Sequence, residues 1–262
     1  MSVITFSVFT KPWKTPLAEL GQYVRDLGFD AIELPVRPGY QVTPENVARD
    51  LPRAVATLAS CGVSIAGVAG PMDEATIAAC AEAEVPIIRV CLDIPRDRDY
   101  LSHEAAIRRE FDRLEPLLTQ AGVAIGVQNH SGRYVANAMG LRHLLEPYDP
   151  RQFCAVLDLA HCALNGEIPE LALDIAWPHL RMVNLKNAYW RRANDFSAEV
   201  AQYERRWTSG RQGLCSWPVV VAELRRRDYQ GVVCLTAEYS DQTAVDRLIA
   251  EDIAFAKALF VG

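Results

Sequence analysis

The sequence predicts an α/β protein, a single (β/α)8 TIM barrel spanning residues 1–262. Three observations predict it. Short β-rich runs alternate with segments of helical period, eight of each. The strand runs are continuously apolar, the pattern of parallel strands covered on both faces. Four runs in the second half stop abruptly on polar side chains: Gly126-Val-Gln-Asn-His130, Ala155-Val-Leu-Asp-Leu-Ala-His161, Arg181-Met-Val-Asn-Leu-Lys-Asn187 and Val232-Val-Cys-Leu-Thr-Ala-Glu238. A buried strand interior has no use for Gln-Asn-His. At carboxyl strand ends the same residues can share a pocket at the C-terminal mouth of a barrel.

The elements follow in order. The run 3–9 feeds a helical segment at 15–27, which closes on the turn Leu27-Gly28-Phe29-Asp30. The run 30–35 precedes a helix over 44–60, where Thr43-Pro-Glu-Asn46 puts Pro44 at a first helical position that needs no N–H. Cys61-Gly62-Val63 turns into the strand 63–69 and the helix 73–83. The strand 86–91 leads to a helix over 103–121 that opens on Ser102-His-Glu-Ala, with Glu104 near its positive end. Ala121-Gly122-Val123 enters the strand 123–129, with a helix at 135–146. The strands 153–158, 180–185 and 231–237 pair with helices at 164–176, 217–227 and 241–260. One connection is long, about 188–216, and contains Trp190, Arg191, Arg192, Tyr203, Trp207 and Arg211. Connections of that length inside a compact domain are usually functional, often a lid. A doubly wound sheet shares the βαβα order. The count of eight favours the closed barrel, as does the lack of GxGxxG or GxxxxGK[ST] after any strand. Gly67-Val-Ala-Gly70 is too weak a pattern for a phosphate loop.

Composition bounds the partners. Half the residues are hydrophobic and 23% are charged, an ordinary globular balance. The formal net charge is −6 and no long basic block occurs, which argues against nucleic acid. Arg225, Arg226 and Arg227 end a helix, where they serve its dipole and solubility. Seven cysteines, an odd number without CxxC spacing, read as reduced core residues of a cytoplasmic protein. The N-terminus lacks a basic n-region and a long apolar h-region. No apolar stretch reaches about 18 residues, so no membrane span is expected.

The motifs together resemble the sugar-phosphate isomerase/epimerase superfamily, the xylose isomerase-like TIM barrels. Gly28-Phe-Asp-Ala-Ile-Glu-Leu34 is similar to the family's second-strand segment ending in Glu-Leu. Asp158-Leu-Ala-His161 is similar to its sixth-strand Asp-x-x-His, and Asn184-Leu-Lys-Asn187 stands where it has His-x-Lys-Asp. Gly210-Arg-Gln-Gly213, Trp217 and Asp228-Tyr-Gln-Gly231 resemble the approach to the last strand, and Glu238 matches the closing glutamate. The resemblance implies one divalent ion held at Gln128, Asp158, Asn184 and Glu238. Two of these match the family's acids, whereas Gln128 and Asn184 are amides where it has Glu and His. Such an oxygen-rich set suits Mn²⁺ or Mg²⁺ better than Zn²⁺. A metal-free pocket, in which Gln128, Asn184 and Asp158 bond each other or the substrate, stands as the alternative.

The family's chemistry implies proton transfer beside a carbonyl. Gln128 cannot titrate, which disfavours a symmetrical two-carboxylate route. Glu238 is then the principal base, with His161, Lys186 or His130 as second proton carrier. Lys186 shares the interior side of its strand with Asn184 and needs a partner, either Asp158 or a substrate anion. His130, Glu33, Arg191 and Trp13 are candidates for substrate contact, and Arg89 for a buried ion pair. His103, His143 and His179 read as structural. The expected function is an isomerase or epimerase acting on a small sugar- or polyol-derived carbonyl compound. The alternatives are a related lyase or dehydratase, and a degenerate barrel that binds a sugar-like ligand without turnover. Phosphodiester hydrolysis needs a His-rich metal cluster that five histidines do not supply. Homo-oligomerisation is left open.

Overall fold

In the computed structural model, which describes residues 4–261, eight parallel strands close into a barrel. The barrel strands are β1 (Thr5–Phe9), β2 (Ala31–Pro35), β3 (Ser64–Ala69), β4 (Ile87–Val90), β5 (Ala124–Gln128), β6 (Phe153–Asp158), β7 (Leu180–Leu185) and β10 (Val232–Leu235). Each lies within one of the expected runs. Val3, at the start of the first run, lies outside the described residues. β1 pairs with both β2 and β10, which closes the ring.

The helices mostly follow the expected periodicity: α1 (Leu17–Asp26), α2 (Val47–Ser60), α3 (Glu74–Glu82), α4 (Tyr100–Ala121), α5 (Ala138–Leu145), α6 (Leu159–Leu164), α7 (Pro169–Ala176), α8 (Trp217–Arg226) and α9 (Val245–Val261). Gly28, Gly62 and Gly122 all take the positive φ their turns require. Three expectations need correction. α4 starts at Tyr100 rather than 103, because the Asp99 side chain caps it by accepting from Ser102 N at 2.9 Å. The helix expected from 164 starts instead at Pro169, and a separate short helix, α6, precedes it, the two parted by Gly166 at φ 78°. The long connection is largely ordered as an antiparallel hairpin, β8 (Asn187–Arg192) with β9 (Tyr203–Thr208).

Two cores result. A large one lies between the barrel wall and the helices, with Leu20, Leu58, Phe111, Phe153 and Trp217 fully buried. A smaller one fills the inside of the barrel: Phe9, Ala69, Ile87, Ala124, Cys154, Val156, Met182 and Cys234. A Cβ added at Gly126 would lie 2.7 Å from Val156, so that strand admits no side chain there. Apolar packing stops at this level. On most of these faces the next residues towards the carboxyl ends are polar. Among the described residues no helix is long and apolar enough to cross a membrane. The cysteines are unpaired, and all but Cys61 and Cys91 are buried; Cys91 is exposed, contrary to the core placement expected.

Candidate active site

The carboxyl ends of the strands surround a cavity of about 210 Å³. Its wall includes Phe9 and Lys11 after β1, Arg37 after β2, Arg89 and Cys91 from β4, Gln128 and His130 from β5, Lys186 after β7, and Thr236 and Glu238 after β10. The spacing explains the set. Strand side chains alternate, so residues two apart share a face. Phe9 with Lys11, Arg89 with Cys91, Gln128 with His130, and Thr236 with Glu238 each continue an interior face into the mouth.

Glu238 sits between two ammonium groups. One carboxylate oxygen takes Lys186 Nζ and the other Lys11 Nζ. The partner of Lys186 in the protein is therefore Glu238, where Asp158 or a substrate anion was expected. Burial works to raise the Glu238 pKa, but the two lysines outweigh it and hold the group far below the ordinary carboxylate range. The residue before it, Ala237, has φ 51°, a left-handed conformation that alanine adopts only against strain. That twist turns the chain off β10 at the pocket. Lys186 is further fixed by the Trp207 ring of the hairpin, whose centroid lies 3.6 Å from Nζ.

A second set of contacts crosses the pocket floor. Arg89 grips Glu33 through two bonds, Nε to Oε1 at 2.5 Å and Nη2 to Oε2 at 2.9 Å. Its Nη1 donates to Gln128 Oε1 at 2.5 Å, and Gln128 Nε2 donates to Asp158 Oδ2 at 2.8 Å. Asp158 Oδ1 caps α6, accepting from Ala160 N at 3.1 Å and His161 N at 3.3 Å. All these side chains are buried. Burial raises Asp158 to about 6, although Lys186 pulls the other way. Glu33 is thus beneath the cavity, as the counter-charge of Arg89, and Arg89 is the buried ion-pair partner expected of it.

The two strand-end histidines differ. His161 Nδ1 accepts from Ser131 N at 3.1 Å and contacts Ser131 Oγ at 2.9 Å, which puts its proton on Nε2. Nε2 has no partner, lies 3.7 Å from Asp158 Oδ2, and is buried. Burial drives His161 far below the usual histidine value. It is not part of the cavity wall; its ring packs 4.0 Å behind that of His130. His130 does line the cavity. Its Nδ1 meets the Ser131 carbonyl at 3.0 Å, so Nδ1 donates and Nε2 is left as a free base. Burial lowers His130 to about 4, so it is neutral at pH 7.

Three other expected residues fall elsewhere. Arg191 lies on the exposed hairpin, paired with Glu204, and is not part of the wall. Trp13 donates from Nε1 to Asp246 at 2.9 Å and packs on Tyr23, tying the loop after β1 to α9. Asn184 lies level with Asp158 and Cys234, behind the wall, and neither of its amide atoms has a partner. Lys11, Arg37 and Cys91 were not singled out as site residues. Each lies two or four residues beyond an interior position of its strand, and that alternation is the signal that finds them.

The four positions to which the resemblance assigns a metal do not fit one as arranged. Both Glu238 oxygens are taken by lysines. Asp158 is committed to two backbone N–H groups and Gln128, and Gln128 Oε1 is committed to Arg89. Only the Asn184 amide is open, and one neutral oxygen is no site for a divalent ion. Among the described residues no three His, Cys, Asp or Glu side chains converge as a metal site.

Residues 22–259 match the model of the xylose isomerase-like TIM barrel family. The chain belongs to that family. Several xylose isomerase-like barrels of known structure share its fold at low identity. A probable 3-DHS dehydratase, AsbF, involved in petrobactin synthesis from Bacillus anthracis, superposes with TM-score 0.74 at 15% identity, over 97% of this chain and 98% of that one. A D-psicose 3-epimerase gives 0.73 at 14%, with both chains fully covered. A 3-keto-D-glucoside 4-epimerase from E. coli gives 0.73 at 14%, over 98% of this chain and 100% of that one. A comparison with curated proteins by sequence finds no match.

Proposed function

We propose that this barrel is an enzyme that moves a proton at the carbon beside the carbonyl of a small polyhydroxylated compound, an isomerase or epimerase. The observation that carries the reading is the meeting of Glu238 and Lys186 on the cavity wall, across from a Gln128 that cannot titrate. The epimerases among its structural neighbours support it at the level of fold.

Without ligand, Glu238 is ionised and clasped. A carbonyl oxygen entering the pocket accepts from Lys186 or Lys11 and so loosens that clasp. The freed carboxylate is then the base for the adjacent C–H. As negative charge builds on the oxygen, the two ammonium groups stabilise it. The neutral His130 Nε2 takes the proton of the neighbouring hydroxyl and passes it to the former carbonyl oxygen, while Glu238 returns its proton to the carbon that carried that hydroxyl, so the isomerisation balances within the pocket. Arg89 and Asp158 hold Gln128 still as the opposite wall. The lysines supply the positive charge that the resemblance would have assigned to an ion.

The test is solvent-deuterium incorporation beside the carbonyl, screened over ketoses, inososes and hydroxy-keto acids. In Glu238→Gln, exchange should fall by about 10²- to 10⁴-fold with the fold intact. Exchange that persists would move the base to His130. Tight binding of a candidate with no exchange in any would favour the non-catalytic sugar-binding barrel.

A further inference from the structure

The charges of the pocket do not close among themselves. Its wall carries four cations, Lys11, Arg37, Arg89 and Lys186, and a single acid, Glu238. Two more carboxylates lie just behind, Glu33 on Arg89 and Asp158 on Gln128. Four positive charges face three negative ones, so one positive charge is left over. It can be located. Lys11 and Lys186 share Glu238, the charge of Lys186 also acts on Asp158, and Arg89 has Glu33, so these three cations face three acids. The Arg37 side chain has no hydrogen bond or ion pair among the described residues; its guanidinium is half-buried over the Phe9 ring, 5.6 Å from the centroid. This excess sits in a molecule whose formal net charge is −6. Arg37 also stands where the inner cavity meets a second, more apolar cleft of about 540 Å³. It marks the edge of the inner chamber.

A half-buried guanidinium without an anion is an incomplete arrangement, because desolvation is offset only when a partner arrives. We propose that the substrate bears one negative charge, a carboxylate, which Arg37 receives at the edge of the cavity while the carbonyl end lies between Lys186 and Glu238. This deepens the proton-transfer reading of the same cavity and rests on it. The count favours a monoanion over a phosphate ester, which carries up to two charges. A phosphate would also seek backbone N–H groups at a helix start. α6 begins where β6 ends, and two of its first N–H groups are taken by Asp158; α3 begins at the outer cleft beside Arg37, and its cap Asp73 takes Thr76 N.

The test compares three probes with one carbon skeleton: D-fructose, D-fructuronate and D-fructose 6-phosphate. Each is titrated calorimetrically into the full chain at low ionic strength. Fructuronate should bind about tenfold or more tighter than fructose. The preference should vanish in Arg37→Gln and largely survive in Arg37→Lys. It should also shrink in the unaltered protein as salt is added, a readout that needs no variant. Equal binding of fructose and fructuronate, a preference that outlives Arg37→Gln, tighter binding of the phosphate ester, or no binding of fructuronate would each overturn the proposal. Running the same samples in D₂O separates the two readings. A charge preference without exchange keeps the role of Arg37 and removes proton transfer. Exchange in fructose without any charge preference does the reverse.

Discussion

At the scale of single residues, the pocket rests on one buried ion pair. Arg89 and Glu33 are almost wholly shielded from water, 6% and 0% exposed. Such a pair adds little net stability over an apolar core, but breaking it leaves a charge with no partner. Glu33→Ala should therefore destabilise the protein by about 3–5 kcal/mol in urea unfolding. The double change Glu33→Leu with Arg89→Met should lose much less, because no charge is stranded. A loss within about 0.5 kcal/mol for Glu33→Ala, the size of an ordinary surface change, would show that water reaches Arg89. From the sequence Glu33 could be placed at a strand end and Arg89 inside a strand run. Their pairing could not, since it joins β2 to β4 across a strand that contributes no polar group there. Arg191 failed for the opposite reason. Its long connection was visible, but only the pairing of β8 with β9 decides which of its arginines turns inward; Arg205, not Arg191, reaches Ser131, at 2.8 Å.

At the scale of elements, the hairpin and the last helix are held to the barrel by a few buried polar side chains. Asn187 is the clearest. Its Nδ2 donates to Gly210 O at 2.9 Å and Cys215 O at 2.8 Å, while its Oδ1 accepts from Ala188 N and Cys215 N, both at 3.0 Å. Two donors and two acceptors are met by an amide and by no carboxylate. A Cβ at Gly213 would overlap this amide, which is why glycine stands there. Asp252 of α9 does similar work: it accepts from Gly210 N at 2.8 Å and from the Tyr239 hydroxyl at 2.9 Å. Burial raises its pKa from 3.8 to about 6. Between those values the folded chain holds a proton that the unfolded chain has released. Stability from this group is thus complete below pH 3.8 and falls as pH rises through 6. Urea midpoints should show the unaltered protein losing ground to Asp252→Asn across that window, by up to about 3 kcal/mol. Parallel profiles would mean that Asp252 is already ionised throughout.

For the whole molecule, the barrel was legible because its strands are apolar, short and eight in number, and because each stops on polar residues. The elements it hid are those set by tertiary contact: the break between α6 and α7, and the order in the hairpin. The candidate site was legible only in part. Gln128, Asp158, Lys186 and Glu238 come together as their strand ends require. What spacing could not show is which cation answers which acid. One consequence lies in Trp207. Its indole touches Lys186 and packs edge-on to His161, with ring centroids 5.2 Å apart, and it rides on the hairpin that borders the pocket. Ammonium and imidazole groups at that range perturb indole emission. The protein therefore carries its own optical gauge of occupancy. A compound that draws Lys186 away from Glu238 should shift the tryptophan fluorescence, and Trp207→Phe should silence that change while the other four tryptophans remain. Ligands could then be ranked by light alone, before any product is known.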